Sequence, residues 1–122
     1  MTRPIIFRAK AVSSGQWVYG NLIHSKRFAG WSNEWRIHNQ DTGLESDVLP
    51  ETVGQFTGLM DRNEGQIFEG DILHSARSGN YVVHFSGCSW RLTSRYNGKT
   101  YTTASANNLW IRGNIHDNPE LI

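Results

Sequence analysis

The sequence predicts a mainly β, antiparallel fold in which an N-terminal β-hairpin region packs on a small SH3-like barrel, with very little helix. Two observations predict it. Apolar and polar residues alternate with a period of two through much of the chain, which is typical of half-buried strands. Clusters of glycine, asparagine and serine interrupt these runs at short intervals, as turns do between short antiparallel strands.

The N-terminal region is predicted to span residues 1–60. Two strands, 5–10 and 17–23, flank a turn cluster and form a hairpin. A loop rich in aromatic residues leads to a third strand at 34–38, and a further strand covers 53–59. The segment Pro50-Glu-Thr52 is one of two places where a short helical turn is expected.

The C-terminal region, residues 61–122, is predicted to form the barrel as a meander of five short strands between about 66 and 116. It opens with a turn over 61–65, whose final Gly65 can take a positive φ. Gly70-Asp71 interrupts the next strand and predicts a bulge or a sharp bend.

Two further features complete the C-terminal region. Asn97-Gly98 predicts a type I′ hairpin, which needs positive φ at both residues. In the tail, Asn118 is placed to cap a second helical turn. A chain of 122 residues suits one compact unit built from the two regions, since it can bury a core without metals or disulfides.

Charge and composition exclude several classes of protein. The 12 basic and 11 acidic residues give a net charge of +1, so no global electrostatic attraction to nucleic acid or membrane is implied. The single cysteine, Cys88, favours a reducing compartment. No stretch approaches the roughly 20 apolar residues of a membrane span, and no apolar signal core follows Met1. We therefore expect an intracellular chain with no membrane partner.

Several segments together identify a family. They are Phe7-Arg-Ala9, Trp17-Val-Tyr-Gly20, Val53-Gly-Gln-Phe-Thr-Gly-Leu59 followed by Asp61, Asn63 and Gly65, then Ile67-Phe-Glu-Gly-Asp-Ile-Leu73 and Gly113-Asn-Ile-His-Asp-Asn-Pro-Glu-Leu121. The chain resembles the YopX proteins of bacteriophages and prophages over its whole length. The resemblance implies a mostly β fold, a mobile-element origin and a place in the cytoplasm of a bacterial host. It implies no established activity, and it carries no functional residue over to this sequence.

The residues themselves predict no catalytic, cofactor or metal site. Five histidines are spread singly, without the short-spaced pairs typical of zinc sites. Glu69 and Asp71 have the spacing of neighbours on one strand face, which permits a carboxylate or metal-dependent enzyme. We favour the other interpretation, in which both carboxylates accept hydrogen bonds from backbone amides at a bend.

One predicted hairpin and the strand after it interleave basic and aromatic residues. This pattern suits stacking on unpaired bases and contact with phosphates. The candidate nucleic-acid-binding residues are Arg91, Arg95, Tyr96, Lys99 and Arg112. The alternative is that Trp90 and Trp110 fill the core while the basic residues form a solvated rim. We favour that alternative, because Trp90 and Leu92 share a strand face.

A protein-interaction surface is the third kind of site considered. Phe28, Trp31 and Trp35 lie in a loop-rich region where aromatic side chains can anchor a partner, and exposed strand edges can pair with another chain. We rank a non-enzymatic accessory protein that binds an unknown host or phage protein, or itself, as the first hypothesis. Nucleic-acid binding is the second, and an enzyme using Glu69 and Asp71 is a distant third.

Overall fold

A computed structural model describes residues 4–25 and 35–122. The chain divides into two compact units, Met1–Phe56 and Thr57–Ile122. The described residues form antiparallel strands and short 3-10 turns, with no α-helix among them. The predicted mainly β fold is therefore confirmed. Within the same ranges, no helix has the length and apolar character needed to cross a membrane.

The first unit is a sheet with strand order β4-β3-β2-β1-β5. Its strands are β1 (Phe7–Lys10), β2 (Trp17–His24), β3 (Trp35–His38), β4 (Glu45–Asp47) and the start of β5 (Gly54–Met60). The predicted hairpin is confirmed, with Phe7 opposite Gly20 and Lys10 opposite Trp17. The sequence did not predict β4, because its residues Glu-Ser-Asp are all polar and show no alternation. The strand forms through its hydrogen-bonded pairing with β3.

The core of the first unit lies on β1, β3 and the segment before the turn Pro50–Thr52. Ala9, Ile37 and Val48 are fully buried there, and apolar side chains from the neighbouring strands cover them. The buried hydroxyl of Thr52 accepts a hydrogen bond from the Lys10 amide and donates one to the Leu49 carbonyl. The predicted helical turn is thus present, and this side chain ties it to β1.

Gly20 is required by a close approach between β2 and the end of β3. A Cβ atom at this position would lie 2.2 Å from the carbonyl oxygen of His38. Because the obstructing atom belongs to the backbone, no side-chain rotation relieves the overlap. The last residue of the segment Trp17-Val-Tyr-Gly20 therefore has a structural role.

The second unit contains the end of β5, paired with β6, and a five-stranded sheet in the order β10-β9-β8-β7-β11. Its strands are β6 (Gln66–Phe68), β7 (Asp71–Ser75), β8 (Gly79–Ser86), β9 (Ser89–Ser94), β10 (Thr100–Thr102) and β11 (Trp110–Asn114). The predicted meander is present. The SH3-like barrel is not confirmed, since the sheet is open and ends in the edges β10 and β11.

One face of this sheet carries the core of the second unit. Leu73, Val83 and Leu92 pack with Ile67, and the short 3-10 turn Ala106–Asn108 covers them from the far side. Partly buried side chains complete the cluster: Leu59, Tyr81, Trp90 and Ile111. The prediction that Trp90 and Leu92 share the core-facing side of their strand is confirmed.

The turn between β9 and β10 differs from the prediction, and a primed turn lies between β8 and β9 instead. Asn97 does not adopt a positive φ; only Gly98 does, within a four-residue loop closed by a hydrogen bond from the Ser94 amide to the Lys99 carbonyl. The predicted type I′ turn is therefore wrong at this place. Gly87 and Cys88 both have positive φ between the paired residues Ser86 and Ser89, as a two-residue primed turn requires.

The turn after β5 is organised by one buried carboxylate. Asp61 Oδ1 accepts hydrogen bonds from the amides of Asn63 (2.9 Å) and Gly65 (2.7 Å), and Oδ2 accepts one from Ile111 on β11 (2.9 Å). The sequence placed the positive φ at Gly65, which is wrong, because Glu64 takes it. Gly65 instead provides room: a Cβ there would lie 3.1 Å from Asp61 Oδ1.

The tail folds back on the bend between β6 and β7. The Ile115 amide donates to the Gly70 carbonyl (2.9 Å), and Asn114 Oδ1 accepts from the amides of His116 and Asp117. Asn118 does not cap the final turn Pro119–Leu121 through its side chain. Its Oδ1 accepts a hydrogen bond from the Asn114 amide instead (3.2 Å).

We expect Asp61→Ala to lower the free energy of unfolding by about 3 kcal/mol or more, since three amides lose a charged acceptor. Asp61→Asn should lower the free energy of unfolding by less, because its side-chain Oδ1 can still accept hydrogen bonds from the amides of Asn63 and Gly65. Denaturant-induced unfolding measures both values. Glu64→Gln, an exposed change in the same turn, is the matched control. If Asp61→Ala unfolds at the same denaturant concentration as the parent, the carboxylate does not have this role.

Gly20→Ala should lower the free energy of unfolding by about 1–3 kcal/mol, since the new methyl group overlaps the His38 carbonyl. The control is Asn21→Ala, an exposed position on the same strand. Equal unfolding midpoints for the two variants would show that β2 and β3 adjust freely at this position.

Candidate nucleic-acid interface

Glu69 and Asp71 do not form the paired-carboxylate site that the sequence permitted. They do not share a strand face, because Glu69 lies in the bend between β6 and β7 while Asp71 begins β7. Asp71 is 2% exposed, and its Oδ2 accepts a hydrogen bond from the Phe68 amide (2.8 Å). The bend predicted at Gly70 is present, with φ of +90°. The Asp71 carboxylate therefore holds the backbone of this bend.

The described residues also contain no cluster that suits a metal. Nowhere in residues 4–25 and 35–122 do three histidine, cysteine or acidic side chains group closely enough to hold an ion. Cys88 is exposed at the β8–β9 turn.

The aromatic protein-interaction candidates are only partly covered by the structure. Phe28 and Trp31 lie outside the described residues. Trp35 is half-buried on β3, where it packs against the core of the first unit and stacks on His24 with ring centroids 3.7 Å apart. Trp35 therefore has a packing role within its own unit, and its predicted role as an anchor stays a prediction.

Three of the five nucleic-acid candidates lie in one loop. Arg95, Tyr96 and Lys99 are exposed in the loop that joins β9 to β10, while Arg91 is half-buried on β9, four residues before Arg95. Arg112 is on β11, at the opposite edge of the sheet. Three strand spacings separate β11 from β9, which is roughly 14 Å. The structure thus brings together the three loop candidates, places Arg91 further back along β9 and leaves Arg112 at the other edge of the sheet.

The loop between β7 and β8 reaches the same end of the sheet as the loop between β9 and β10. This follows from the register, because Tyr81 near the start of β8 is opposite Ser94 at the end of β9. The Arg95 amide donates to the Asn80 carbonyl (2.9 Å) and joins the β9–β10 loop to the start of β8. Arg77, which the sequence analysis did not single out, therefore lies at the same end of the sheet as Arg95 and Lys99.

A groove lined by Tyr81, Tyr96 and Tyr101 runs between these loops, and we call it the tyrosine groove. Tyr81 and Tyr101 meet edge to face, with ring centroids 6.0 Å apart and planes at 80°. Tyr96 is 88% exposed. The groove therefore offers three aromatic rings on one surface.

The Tyr81–Tyr101 pair lies between two compartments of the tyrosine groove. One compartment has a volume of about 550 Å³ and is lined by residues that include Leu92, Thr102 and Leu109. The other has a volume of about 490 Å³ and extends to Arg77 and Asn97. Both volumes fall within the usual range for ligand-binding pockets.

All residues that line the tyrosine groove come from a stretch of sequence with basic but no acidic residues. The sequence contains no aspartate or glutamate between Ile72 and His116, although this stretch holds five arginine and lysine residues. Among the residues that the structure describes, the four cations near the groove form no salt bridge. A count of charge by segment would have found this surface from sequence, whereas the net charge of +1 conceals it.

Comparison with known proteins places the chain in a family. Its fold is similar to the crystal structure of protein EF1440 from Enterococcus faecalis, with a TM-score of 0.58 and 19% identity over 98% of this chain and 99% of that one. At this identity the likeness shows the fold alone. No curated protein matches the chain. The family model described as YopX protein matches residues 6–122, so this chain belongs to the YopX family.

Proposed function

We propose that this chain is a non-enzymatic binding protein whose ligand is nucleic acid, held at the tyrosine groove. The proposal rests on three tyrosines that line one groove and on the arginine and lysine side chains near it, which form no salt bridge among the described residues. These residues all lie in the stretch 72–116, which contains no aspartate or glutamate. We also propose that it acts as a phage or prophage accessory protein in the cytoplasm of a bacterial host; the resemblance to the phage family supports that part.

The charge distribution supports an anionic polymer over other ligands. Binding a phosphate backbone releases condensed counterions, so each phosphate neutralised by an arginine or lysine adds affinity at low salt. An acidic side chain inside the footprint would oppose this gain by repelling phosphate. In the described part of the chain, no aspartate or glutamate lines the groove, and the buried carboxylates of Asp61 and Asp71 are bonded to backbone amides.

The tyrosine groove also supports binding over catalysis. Its lining contains hydroxyl, amide, guanidinium and apolar groups, without a carboxylate, histidine or cysteine that could transfer a proton or act as an activated nucleophile. The carboxylate pair considered from the sequence is divided between a bend and a strand.

Protein binding or self-association, the first hypothesis from the sequence, remains a second candidate because of β10. This strand is an outer edge of the sheet, and all three of its residues are exposed. The Ser94 amide bonds to the Lys99 carbonyl, so the backbone groups of Lys99 point toward β9. In an antiparallel pair this direction alternates along the strand, so the N–H and C=O groups of Thr100 and Thr102 point away from β9, toward the open edge. An added strand can pair with those groups.

The nucleic-acid proposal predicts salt-sensitive retention on immobilised single-stranded DNA, weakened by the double substitution Arg91→Ala and Arg95→Ala. The slope of log affinity against log salt should fall by about 1.4, because two phosphates of the strand are no longer neutralised. The control is Arg112→Ala, which removes one cation at the opposite edge of the sheet. A salt slope that falls no more in the double variant than in Arg112→Ala, or no salt-sensitive retention of the parent, would contradict the proposal.

The second candidate predicts a mass that rises with protein concentration in analytical ultracentrifugation. Thr102→Pro should restore the monomer mass, since proline removes an outward amide at the edge strand. Asn107→Ala, an exposed change near β10, is the control. A constant monomer mass for the parent across the concentration range would exclude self-association through β10.

A further inference from the structure

We propose that the tyrosine groove receives unpaired bases, so that this protein selects single-stranded over double-stranded nucleic acid. This inference rests on the proposed function and names the ligand class of the same site. Its basis is that three tyrosine rings line one groove, combined with cations at one end of that groove.

Two of the three rings of the groove, Tyr81 and Tyr101, are held in place before any ligand arrives. The Tyr81 hydroxyl donates to Ser78 Oγ (2.7 Å), and the Tyr101 hydroxyl accepts from Asn97 Nδ2 (3.0 Å). Asn97 is fixed in turn, because its Oδ1 accepts the Lys99 amide (2.8 Å). A ligand that stacks on these rings does not have to order them first, which lowers the entropic cost of binding.

The two compartments suit two neighbouring bases. Leu92 and Leu109 give the larger compartment apolar surface on which the face of a base can rest. The smaller compartment has Tyr96 on one side and the polar groups of Ser94 and Asn97 nearby. Base–aromatic stacking tolerates any sequence, since every base has a π face, so we expect little sequence preference.

The cations lie where the sugar–phosphate backbone of such a strand would pass. Arg77 lines the smaller compartment, and Arg95 and Lys99 occupy the adjoining loop. With bases directed into the groove, the phosphates remain near this rim and in water. A duplex keeps its bases stacked and paired, exposing only their edges in the grooves, so it can offer phosphates to the cations but no base faces to the tyrosines.

Fluorescence anisotropy with labelled DNA of about 12 nucleotides, a length within the site sizes of small single-strand-binding folds, tests the inference. The same sequence is measured as a single strand and as a duplex. We expect the single strand to bind roughly 10-fold more tightly, and Tyr101→Leu to weaken single-strand binding roughly 10-fold while leaving duplex binding unchanged. Tyr101→Phe keeps the ring and should stay close to the parent.

Tyr96→Leu is a second variant, because this exposed side chain can be removed with little effect on folding; it should also weaken single-strand binding selectively. Equal affinity for single strand and duplex, with no effect of either leucine variant, would overturn the base-binding inference and leave salt-dependent nucleic-acid binding intact. Absence of binding to both forms at low salt would overturn the inference and the proposed function together.

Discussion

The buried carboxylate of Asp61 is the interaction on which the second unit most depends. It is 7% exposed and accepts backbone hydrogen bonds from a local turn and from β11, fifty residues further along the chain. A buried charge is tolerable only when such partners compensate for its lost hydration. This one side chain therefore fixes the turn after β5 and the position of the edge strand β11 at the same time.

The same device recurs at the β6–β7 bend and in the tail. The Asp71 side chain bonds to Phe68 at the β6–β7 bend, and the side chains of Asn114 and Asn118 bond to tail amides. Side-chain acceptors thus replace sheet hydrogen bonds where the ladder is interrupted, since buried backbone donors must be satisfied. The segments that identify the family are built around these positions and form the scaffold.

The proposed binding surface lies between those segments. Because the structural carboxylates occur before Ile72 and after His116, the meander between them is left with positive charge alone. Its loops then bring Tyr81 and Tyr101 into contact, and hydrogen bonds hold their hydroxyls. The scaffold and the binding surface belong to the same sheet. The hydrogen bonds of Asp61 and of the tail hold β11 at one edge of that sheet, and β10, at the other edge, lines the groove.

The sequence by itself determined the β character, the first hairpin, the bend at Gly70 and the core face of β9, because alternation and turn chemistry are local. It also contained the acid-free stretch, which a net charge of +1 hid. Only the tertiary structure decided that the loops with Arg77 and Arg95 lie at the same end of the sheet and that Arg112 lies at its far edge. It also decided that the sheet remains open. Those outcomes depend on strand order and register, and on long-range bonds such as that from Ile111 to Asp61, which no local pattern specifies.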